Sequence, residues 1–423
     1  NKPNTELSSV CVCFMKTSDF NQSATLHPPP SAAGSVLHEL LGGLHTGDAK
    51  VDKYTSMQLA SISHAADINH IKNAAVDMSQ LQSELRAEPP WLTTTTTTTT
   101  TMNNNNHNNH KSNSADCSNA HERSTVAAAA AAANVTPEQI RRGQMVFQKY
   151  YAASNLSLFI MLVQGFIVAR FSEVLVLAGY SKSAYATFRR FLHTAQAVHT
   201  WMTEDLVDTQ SPARASVLRV RCLHALARKM ASRRWAELST ADEADIGIPL
   251  SQYDMALVLL AFGPLCQSAI ETEIGVKLSL QEKTDYIACW RYVGWHLGIQ
   301  DQYNPCNSVE VAAAASAEFY QTVPFYTQNI RQCSKEMIVS TITGLGRHGG
   351  AGARMLGGIF HASSKQRPWL DVSYVDAVLP RPPAIACSVL TLLLKASGHD
   401  VTRRMMNASM RSPCRKIPLP LFL

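Results

Sequence analysis

The chain has 423 residues, of which 46% are hydrophobic and 17% are charged, so it is long enough for one large domain or two modest ones with a sizeable core. Its net charge of +6 is mild for this length, and no dense basic run interleaved with aromatic residues indicates nucleic-acid binding. The ten cysteines include no CxxC pair, which is typical of reduced thiols and not of a disulfide framework or a zinc site.

The first third of the chain has three kinds of composition. Residues 1–35 are polar and rich in Ser, Thr and Pro, which predicts a disordered segment, and no signal peptide is visible there. Helical periodicity within 36–92 predicts helices that pack on the core. Residues 93–135 contain nine consecutive threonines, an Asn/His tract and seven alanines. Such tracts cannot build a core, so this stretch is interpreted as a low-complexity insertion.

Ordered structure is predicted to begin at VTPEQIRRGQ (135–144). Thr136 is a suitable N-cap, Pro137 suits the first helical position, and Gln139 can complete a capping box. The sequence therefore predicts a helix that begins at Pro137 and leads into the most apolar part of the chain.

That apolar part, 156–178, is interrupted by Gln164, Arg170 and Glu173. No window of 18 residues in it is free of strongly polar groups, so a buried core helix is favoured over a membrane-spanning one. Gly179 is placed to end this helix in the left-handed conformation.

Two later helices are predicted from their caps. Ser251 precedes the apolar stretch 252–265, and Ser279 is the predicted N-cap within 278–299, with Glu282 placed for a capping box. The tryptophans and tyrosines of the second stretch are interpreted as core residues.

The final segment, 311–423, is interpreted as a C-terminal helical extension. Its apolar stretch 385–398 is too short to span a bilayer. The basic tail 403–416 suits contact with lipid headgroups, so peripheral membrane contact is the form of membrane association that the sequence predicts.

The strongest candidate for a binding residue is His224. It lies between Arg221 and Arg228, at i−3 and i+4, so the three side chains share one helical face. A neutral imidazole flanked by cations suits an anionic cofactor that needs one axial nitrogen, and haem with its two propionates fits. The alternative is an ordinary histidine beside solvated arginines. Cys222 is interpreted as a packing residue and not as a second ligand.

A second polar group lies on the preceding helix. Arg190, His193 and Thr194 occupy i, i+3 and i+4 of an otherwise apolar segment, which indicates a buried network or a site. Glu173 adds a carboxylate at the end of the apolar stretch before it. The alternative interpretation of Glu173 is a structural ion pair with Arg189 or Arg190.

Several separate blocks of the sequence resemble, in the same order, the latex-clearing or rubber oxygenase family and its eukaryotic ER-bound oxygenase relatives. Two short N-terminal blocks also resemble the family, and the resemblance covers roughly 36–310 around the insertion. The blocks are GDAKVDK (47–53), EPPWL (88–92), RRGQMVFQKYYAASNLSLF (141–159), FSEVLVLAGYSKSAYATFRRFLHT (171–194), RVRCLHALARK (219–229), IPLSQYDMALVLLAFG (248–263) and WRYVGWHLGI (290–299).

The resemblance implies roles for particular residues. It implies that His224 is the proximal ligand of a haem b iron, that Glu173 is a base, and that Arg190 and Thr194 lie on the distal side. The family carries a lysine before that threonine, which can cap the iron in a closed state, and this chain has His193 there. His193 is therefore predicted to lie near the iron, the alternative being an outward-facing histidine.

The helical patterns and the resemblance together predict an all-α fold with a globin-like helical core and additional N- and C-terminal helices. Residues 136–310 are the expected haem-binding oxygenase core. The predicted function is oxidation or cleavage of an unsaturated apolar substrate, isoprenoid-like or lipid-like, with O2, by an intracellular protein associated with the ER membrane. Two alternatives stay open: a non-catalytic helical module that binds haem and O2, and a cofactor-free helical scaffold that binds lipid.

Overall fold

The computed structural model describes residues 135–179, 183–235, 246–272, 276–328 and 330–348, together with 46–49, 88–92 and a few single positions elsewhere. The predicted disordered segment 1–35, nearly all of the insertion, most of 36–92 and the C-terminal part from 349 lie outside the described residues.

The described part is all-α, as predicted, and contains no strand beyond one isolated bridge. Its α-helices are α1 (Pro137–Lys149), α2 (Tyr151–Gly165), α3 (Ala169–Leu177), α4 (Ala184–Thr203), α5 (Pro212–Trp235), α6 (Gln252–Phe262), α7 (Pro264–Thr272), α8 (Leu280–His296), α9 (Val309–Gln328) and α10 (Gln332–His348), with a 3-10 turn at Asp301–Tyr303.

The helix starts follow from local capping chemistry. The Thr136 hydroxyl accepts a hydrogen bond from the Gln139 amide at 3.1 Å, and Pro137 occupies the first turn. Helices α6 and α8 begin with reciprocal capping boxes, which confirms both predicted starts; the pairs are Ser251 with Asp254 and Ser279 with Glu282.

The prediction of one continuous helix over 156–178 is wrong. Helix α2 ends at Gly165, α3 begins at Ala169, and the two axes differ by 84°. Past the break, the fully buried Arg170 forms hydrogen bonds of 2.6 and 2.9 Å with Asp254 and one of 2.6 Å with the Ile246 carbonyl oxygen. A buried guanidinium requires such partners, and the bend brings it to them. Gly179, with φ of +72°, follows the end of α3 as predicted.

The helices that carry the candidate residues are neighbours. Helix α4 packs between α5 and α10, and α3 contacts both α5 and α10. A hydrophobic cluster that includes Phe159, Val163, Phe188 and Ile342 joins α2, α4 and α10. The larger core is built around α8, which lies along α1. The contacts among α3, α4, α5 and α10 thereby bring together candidate residues that are distant in sequence.

The insertion leaves and re-enters the fold at adjacent points. Leu92 and Val135 form a parallel bridge, and the Val135 amide donates to the Trp91 carbonyl oxygen at 3.2 Å. The Trp91 side chain is buried, with the Arg291 guanidinium 4.1 Å from its ring centroid. The residues that flank 93–134 are thus paired with each other at the edge of the core.

One stretch of the described chain, Gln252–Glu271, is long and apolar enough to cross a membrane, and the bent pair α2–α3 would count as a second if it were one span. In the first stretch, 83% of the apolar window is buried inside the protein. Burial to this extent is typical of a core helix.

Candidate active site

His224 lies on α5 with an unused nitrogen. Its Nδ1 atom is buried and has no hydrogen-bond partner among the described residues. Burial, followed by the nearby cations Arg228 and Arg190, lowers the pKa of His224 from 6.5 to about 3. The ring is therefore neutral at physiological pH. A neutral imidazole with a nitrogen that forms no hydrogen bond is chemically suited to bind a metal.

The two arginines that flank His224 are engaged by aspartates from the N-terminal segment. Arg221 donates to Asp48, with one of its two hydrogen bonds at 2.9 Å. Arg228 donates to Asp52 and, at 2.7 and 3.0 Å, to the Leu250 carbonyl oxygen. These ion pairs attach Asp48 and Asp52 to the helix that carries His224. The predicted contribution of both arginines to cofactor binding stays a prediction.

Gly298 shows how closely this anchor is packed. Its φ is +90°, and a Cβ atom there would lie 2.2 Å from a carboxylate oxygen of Asp48. Only glycine combines this backbone conformation with such an approach. The GDAKVDK block therefore has a structural partner in the WRYVGWHLGI block, a pairing that sequence spacing does not reveal.

Helices α4 and α5 are packed neighbours that follow each other in the chain. The Trp201 indole of α4 donates to the Ser216 hydroxyl of α5 at 3.1 Å. Eight residues back along α4 from this contact lies His193, and eight residues forward along α5 lies His224, so both are about 12 Å from it along their helices. Arg190, also on α4, lies close enough to His224 to help lower its pKa.

The apolar side chains around these residues pack on two different cores. Phe191 and Leu192 of α4 pack against the cluster that joins α2, α4 and α10. Val220 of α5 packs against the larger core. Leu223 and His224 are partly exposed.

His193 and Thr194 are both half-buried in this region. Burial, then Arg189 and Arg190, lowers the pKa of His193. Thr194 differs from the other threonines of α4 because its hydroxyl forms no hydrogen bond within the described part of the chain. The others donate to the carbonyl oxygen four residues earlier; they are Thr187, Thr200 and Thr203. The Thr194 hydroxyl is thus available for another partner.

Glu173 makes its contacts with α10 and not with Arg189 or Arg190. The Cys333 thiol donates to Oε1 at 3.1 Å, and Nη1 of Arg331 lies 3.7 Å from the same oxygen. Glu173 thus forms an ion pair, but with Arg331 and not with either of the two arginines that the sequence suggested. Sequence reasoning missed Arg331 and Cys333 because they lie about 160 residues downstream, in no motif.

An apolar cavity adjoins α3. It is small, with a volume of about 30 Å³, and its walls come from α2, α3, α6, α7 and α9 together with the α2–α3 bend. Phe171, two residues before Glu173, contributes to it. The other lining residues are Met161, Gln164, Gly165, Ile167, Leu257, Ala261, Leu265, Phe319, Tyr320 and Val323.

A second anchor ties the EPPWL block to the core. Glu88 accepts hydrogen bonds from Arg214 and, at 2.8 Å, from the Tyr292 hydroxyl. Its carboxylate lies 3.7 Å from Nε2 of His296, whose side chain is 1% exposed. Burial lowers the pKa of His296 to about 4, although Glu88 opposes the shift. This histidine is therefore neutral at physiological pH.

These features place an uncharged histidine, His224, between two arginines on one helix of an all-α domain. Residues 149–413 match the family model described as "ER-bound oxygenase mpaB/B'/Rubber oxygenase, catalytic domain", and the chain belongs to this family. The family prediction is confirmed, and membership places the chain among oxygenases that act on apolar substrates.

Comparison with solved structures agrees on the fold. The chain is similar to the structure titled "Structure of Latex Clearing Protein LCP in the closed state", with a TM-score of 0.51 and 17% identity over 92% of this chain and 90% of that chain. At this identity the likeness shows the all-α fold alone. The search of curated proteins finds no match.

The residues on α4 and α5 fit the haem that the family resemblance implies. The buried, unpartnered nitrogen of His224 is an orphaned polar atom, and such atoms in a folded protein normally have a partner. The partly exposed apolar residues beside it suit a flat apolar ring. The donor chemistry, one neutral imidazole with cations nearby, suits an iron porphyrin that carries carboxylates.

Proposed function

We propose that this protein is a haem b-dependent oxygenase that oxidises or cleaves an unsaturated apolar substrate, isoprenoid-like or lipid-like. The observation that carries the proposal is the neutral imidazole of His224, whose buried Nδ1 atom has no hydrogen-bond partner among the described residues and which lies between Arg221 and Arg228 in the sequence of α5. His224 would hold the iron, and Arg221 and Arg228 would keep positive charge beside it.

Haem iron, when bound, would supply the activation of O2, which is the hard chemical step. The chain's own residues would bind and orient. The Thr194 hydroxyl, free of the helix carbonyls, can donate a hydrogen bond to a polar atom on the distal side. Arg190 adds a positive charge there, which favours negative charge that develops during oxidation.

Glu173 would act as the base. Cleavage of a carbon–carbon double bond by O2 gives two carbonyl groups that together take both oxygen atoms, so the reaction consumes no net proton. A proton that Glu173 accepts from an allylic carbon must therefore return before the products leave. The electron pair of that C–H bond moves into the allylic system, an electron pair of the double bond passes to O2, the oxidant, and the returning proton forms a new C–H bond. A carboxylate in a partly buried position suits such reversible transfer.

The apolar cavity beside α3 is compatible with an apolar substrate, because its walls provide almost no polar partners. At about 30 Å³ it can receive one small apolar group of a substrate and not a whole chain. Phe171 in its wall and Glu173 lie two residues apart on α3, so their side chains point to different sides of that helix.

The cofactor is tested by the absorption spectrum and pyridine haemochrome content of the purified protein. His224→Ala is expected to abolish haem binding because it removes the ligand nitrogen. His348→Ala is the matched control, since this exposed histidine lies at the end of α10. Full haem content with an unchanged spectrum in His224→Ala would rule out His224 as the ligand.

The reaction is tested by oxygen uptake with squalene, a polyunsaturated isoprenoid, and with its saturated counterpart squalane as the control. Uptake with squalene alone, together with carbonyl products trapped by a hydrazine, is the expected result. Haem binding without uptake would favour the non-catalytic haem module. Purified protein without haem would favour the lipid-binding scaffold.

Association with the ER membrane is part of the proposal. The family description names ER-bound oxygenases, and the chain carries a net charge of +6. Co-sedimentation with anionic vesicles that weakens as salt is raised is the expected result, because surface charge attraction is screened by salt.

A further inference from the structure

The contacts of Glu173 converge on one of its two carboxylate oxygens. Oε1 accepts the hydrogen bond from Cys333 at 3.1 Å and lies 3.7 Å from the Arg331 guanidinium. Within the described residues no side chain bonds Oε2, and this oxygen is not enclosed. The carboxylate thus has one held oxygen and one open oxygen.

This asymmetry has a chemical consequence. The Cys333 hydrogen bond and the Arg331 ion pair both engage Oε1, which restrains the carboxylate between α3 and the start of α10. Oε2 has no such partner among the described residues and is left to accept a proton from a group on the accessible side.

We propose that Arg331 and Cys333 are positioning residues that hold Oε1 of Glu173, so that Oε2 is the atom that accepts the allylic proton from the substrate. The inference deepens the proposed function and rests on it. The electron pair of the broken C–H bond moves into the allylic system, an electron pair of the double bond passes to O2, and the proton resides on Oε2 until it returns to form a C–H bond of the product.

The arrangement makes the start of α10 part of the active site. Arg331 lies immediately before this helix and Cys333 in its first turn. The side chains of Arg331 and Glu173 are partly buried, with 18% and 12% of their surface exposed, respectively. A carboxylate that faced bulk water would reorient freely, whereas this one is confined between α3 and α10.

The first test uses the kinetic profile of oxygen uptake, that is kcat and KM for the unsaturated chain. Arg331→Gln removes the cation beside Oε1, so kcat should fall by roughly tenfold or more with KM unchanged, since a misplaced reacting group can cost on the order of 100-fold in rate. Arg331→Lys keeps the charge and should restore kcat in part. Lys335→Gln makes the same charge change at a residue that has no ion pair or hydrogen bond with Glu173 in the described part of the chain, and is the control with unchanged kcat.

The thiol is tested in the same assay with a conservative pair. Cys333→Ala removes the donor to Oε1, so kcat should fall with KM unchanged, as in Arg331→Gln. Cys333→Ser retains a hydroxyl donor and should bring kcat back towards wild type. Identical profiles in wild type, Cys333→Ala and Arg331→Gln would overturn the proposal.

A second readout does not depend on bound haem. The rate of iodoacetamide alkylation at Cys333, followed by mass spectrometry of its peptide, measures the thiolate fraction. The pKa of Cys333 is raised to about 12, by burial first and then by Glu173. Glu173→Gln removes that negative charge, so alkylation at pH 8 should accelerate at least threefold. An unchanged rate would show that the Cys333–Glu173 contact is absent and would overturn the proposal.

The two readouts separate the failure of this inference from that of the proposed function. If wild-type protein takes up no O2 with an unsaturated chain, the oxygenase proposal fails, and Glu173 loses its role as a base even if the alkylation rate responds. If uptake is normal and only the variant profiles fail to move, the positioning inference alone is wrong.

Discussion

At the scale of single residues, His193 is the position at which this chain departs from the family pattern. It lies on α4, which packs against the helix that carries His224, and its pKa is lowered by burial and by two arginines. It is therefore neutral at pH 7 and gains its proton only below the ordinary value of 6.5. As a ligand to the iron it would act above that lowered pKa and be released as the pH falls through it.

We predict that His193→Ala changes the visible spectrum of the resting protein from low-spin to high-spin at pH 8. In wild type the same change should appear only as the pH is lowered below 6.5. His348→Ala is the control, since its histidine is exposed. Matching spectra for wild type and His193→Ala at every pH would show that His193 faces away from the iron.

Single residues also show which features of the candidate site can be predicted from the sequence. The grouping of Arg190, His193 and Thr194 depends on helical spacing alone, and one uninterrupted helix carries all three, as predicted. The partners of Glu173, Arg221 and Arg228 could not be found in this way. Arg331 lies 158 residues after Glu173, and Asp48 lies 173 residues before Arg221, so only the tertiary fold joins them.

At the scale of secondary-structure elements, the contact between α1 and α8 depends on Gly143. A Cβ atom there would lie 2.2 Å from the Asp285 carbonyl oxygen and 2.5 Å from Cβ of Cys289. Backbone cannot move aside cheaply, so a methyl group must push the two helices apart. Gly165, at the end of α2, is the opposite case, because a Cβ atom there meets nothing within 4 Å.

We predict that Gly143→Ala lowers the free energy of unfolding by about 1–3 kcal/mol, the usual cost of overpacking. Gly165→Ala should leave it unchanged or raise it by up to about 1 kcal/mol, because alanine restricts the unfolded chain. Urea denaturation measures both. Equal losses in the two variants would mean that the α1–α8 contact is looser than described.

Element boundaries show where local patterns suffice. The starts of α1, α6 and α8 follow from Thr136, Ser251 and Ser279, since a cap is a contact between residues three apart. The break between α2 and α3 has no such local cause. It accommodates the buried Arg170, whose partner Asp254 lies 84 residues away, so apolar composition alone predicted one helix where two exist.

At the scale of the whole molecule, the insertion should be dispensable because its ends meet at the Leu92–Val135 bridge. We predict that replacing 93–133 with an eight-residue Gly/Ser linker preserves the melting temperature or raises it slightly. A shorter loop costs less closure entropy, by roughly 0.6 kcal/mol for each halving of its length. A Gly/Ser linker of the original length is the control for composition. A large fall in melting temperature in both forms would show that the tract packs on the core.

The stability of the whole molecule should depend on pH through the buried histidines. His296 has a pKa of about 4 in the folded protein and 6.5 as its ordinary value, and Glu88, Arg214, Arg221 and Tyr292 surround it. Because the folded pKa is lowered, the unfolded chain binds the proton first. The stabilising contribution is full above pH 6.5 and is lost progressively as the pH falls towards 4. His224 and Glu88, whose pKa values are also lowered, act in the same direction.

We predict that wild-type protein loses about 2 kcal/mol more of its unfolding free energy between pH 7 and pH 5 than His296→Gln does, since glutamine does not titrate. Urea denaturation at the two pH values measures the difference, and His348→Gln is the control for loss of an exposed imidazole. The comparison uses the change with pH, so any loss that the substitution causes at pH 7 cancels. If His296→Gln loses as much stability as wild type, then His296 is charged in the folded state, and the Glu88 anchor is an ion pair that strengthens with acid.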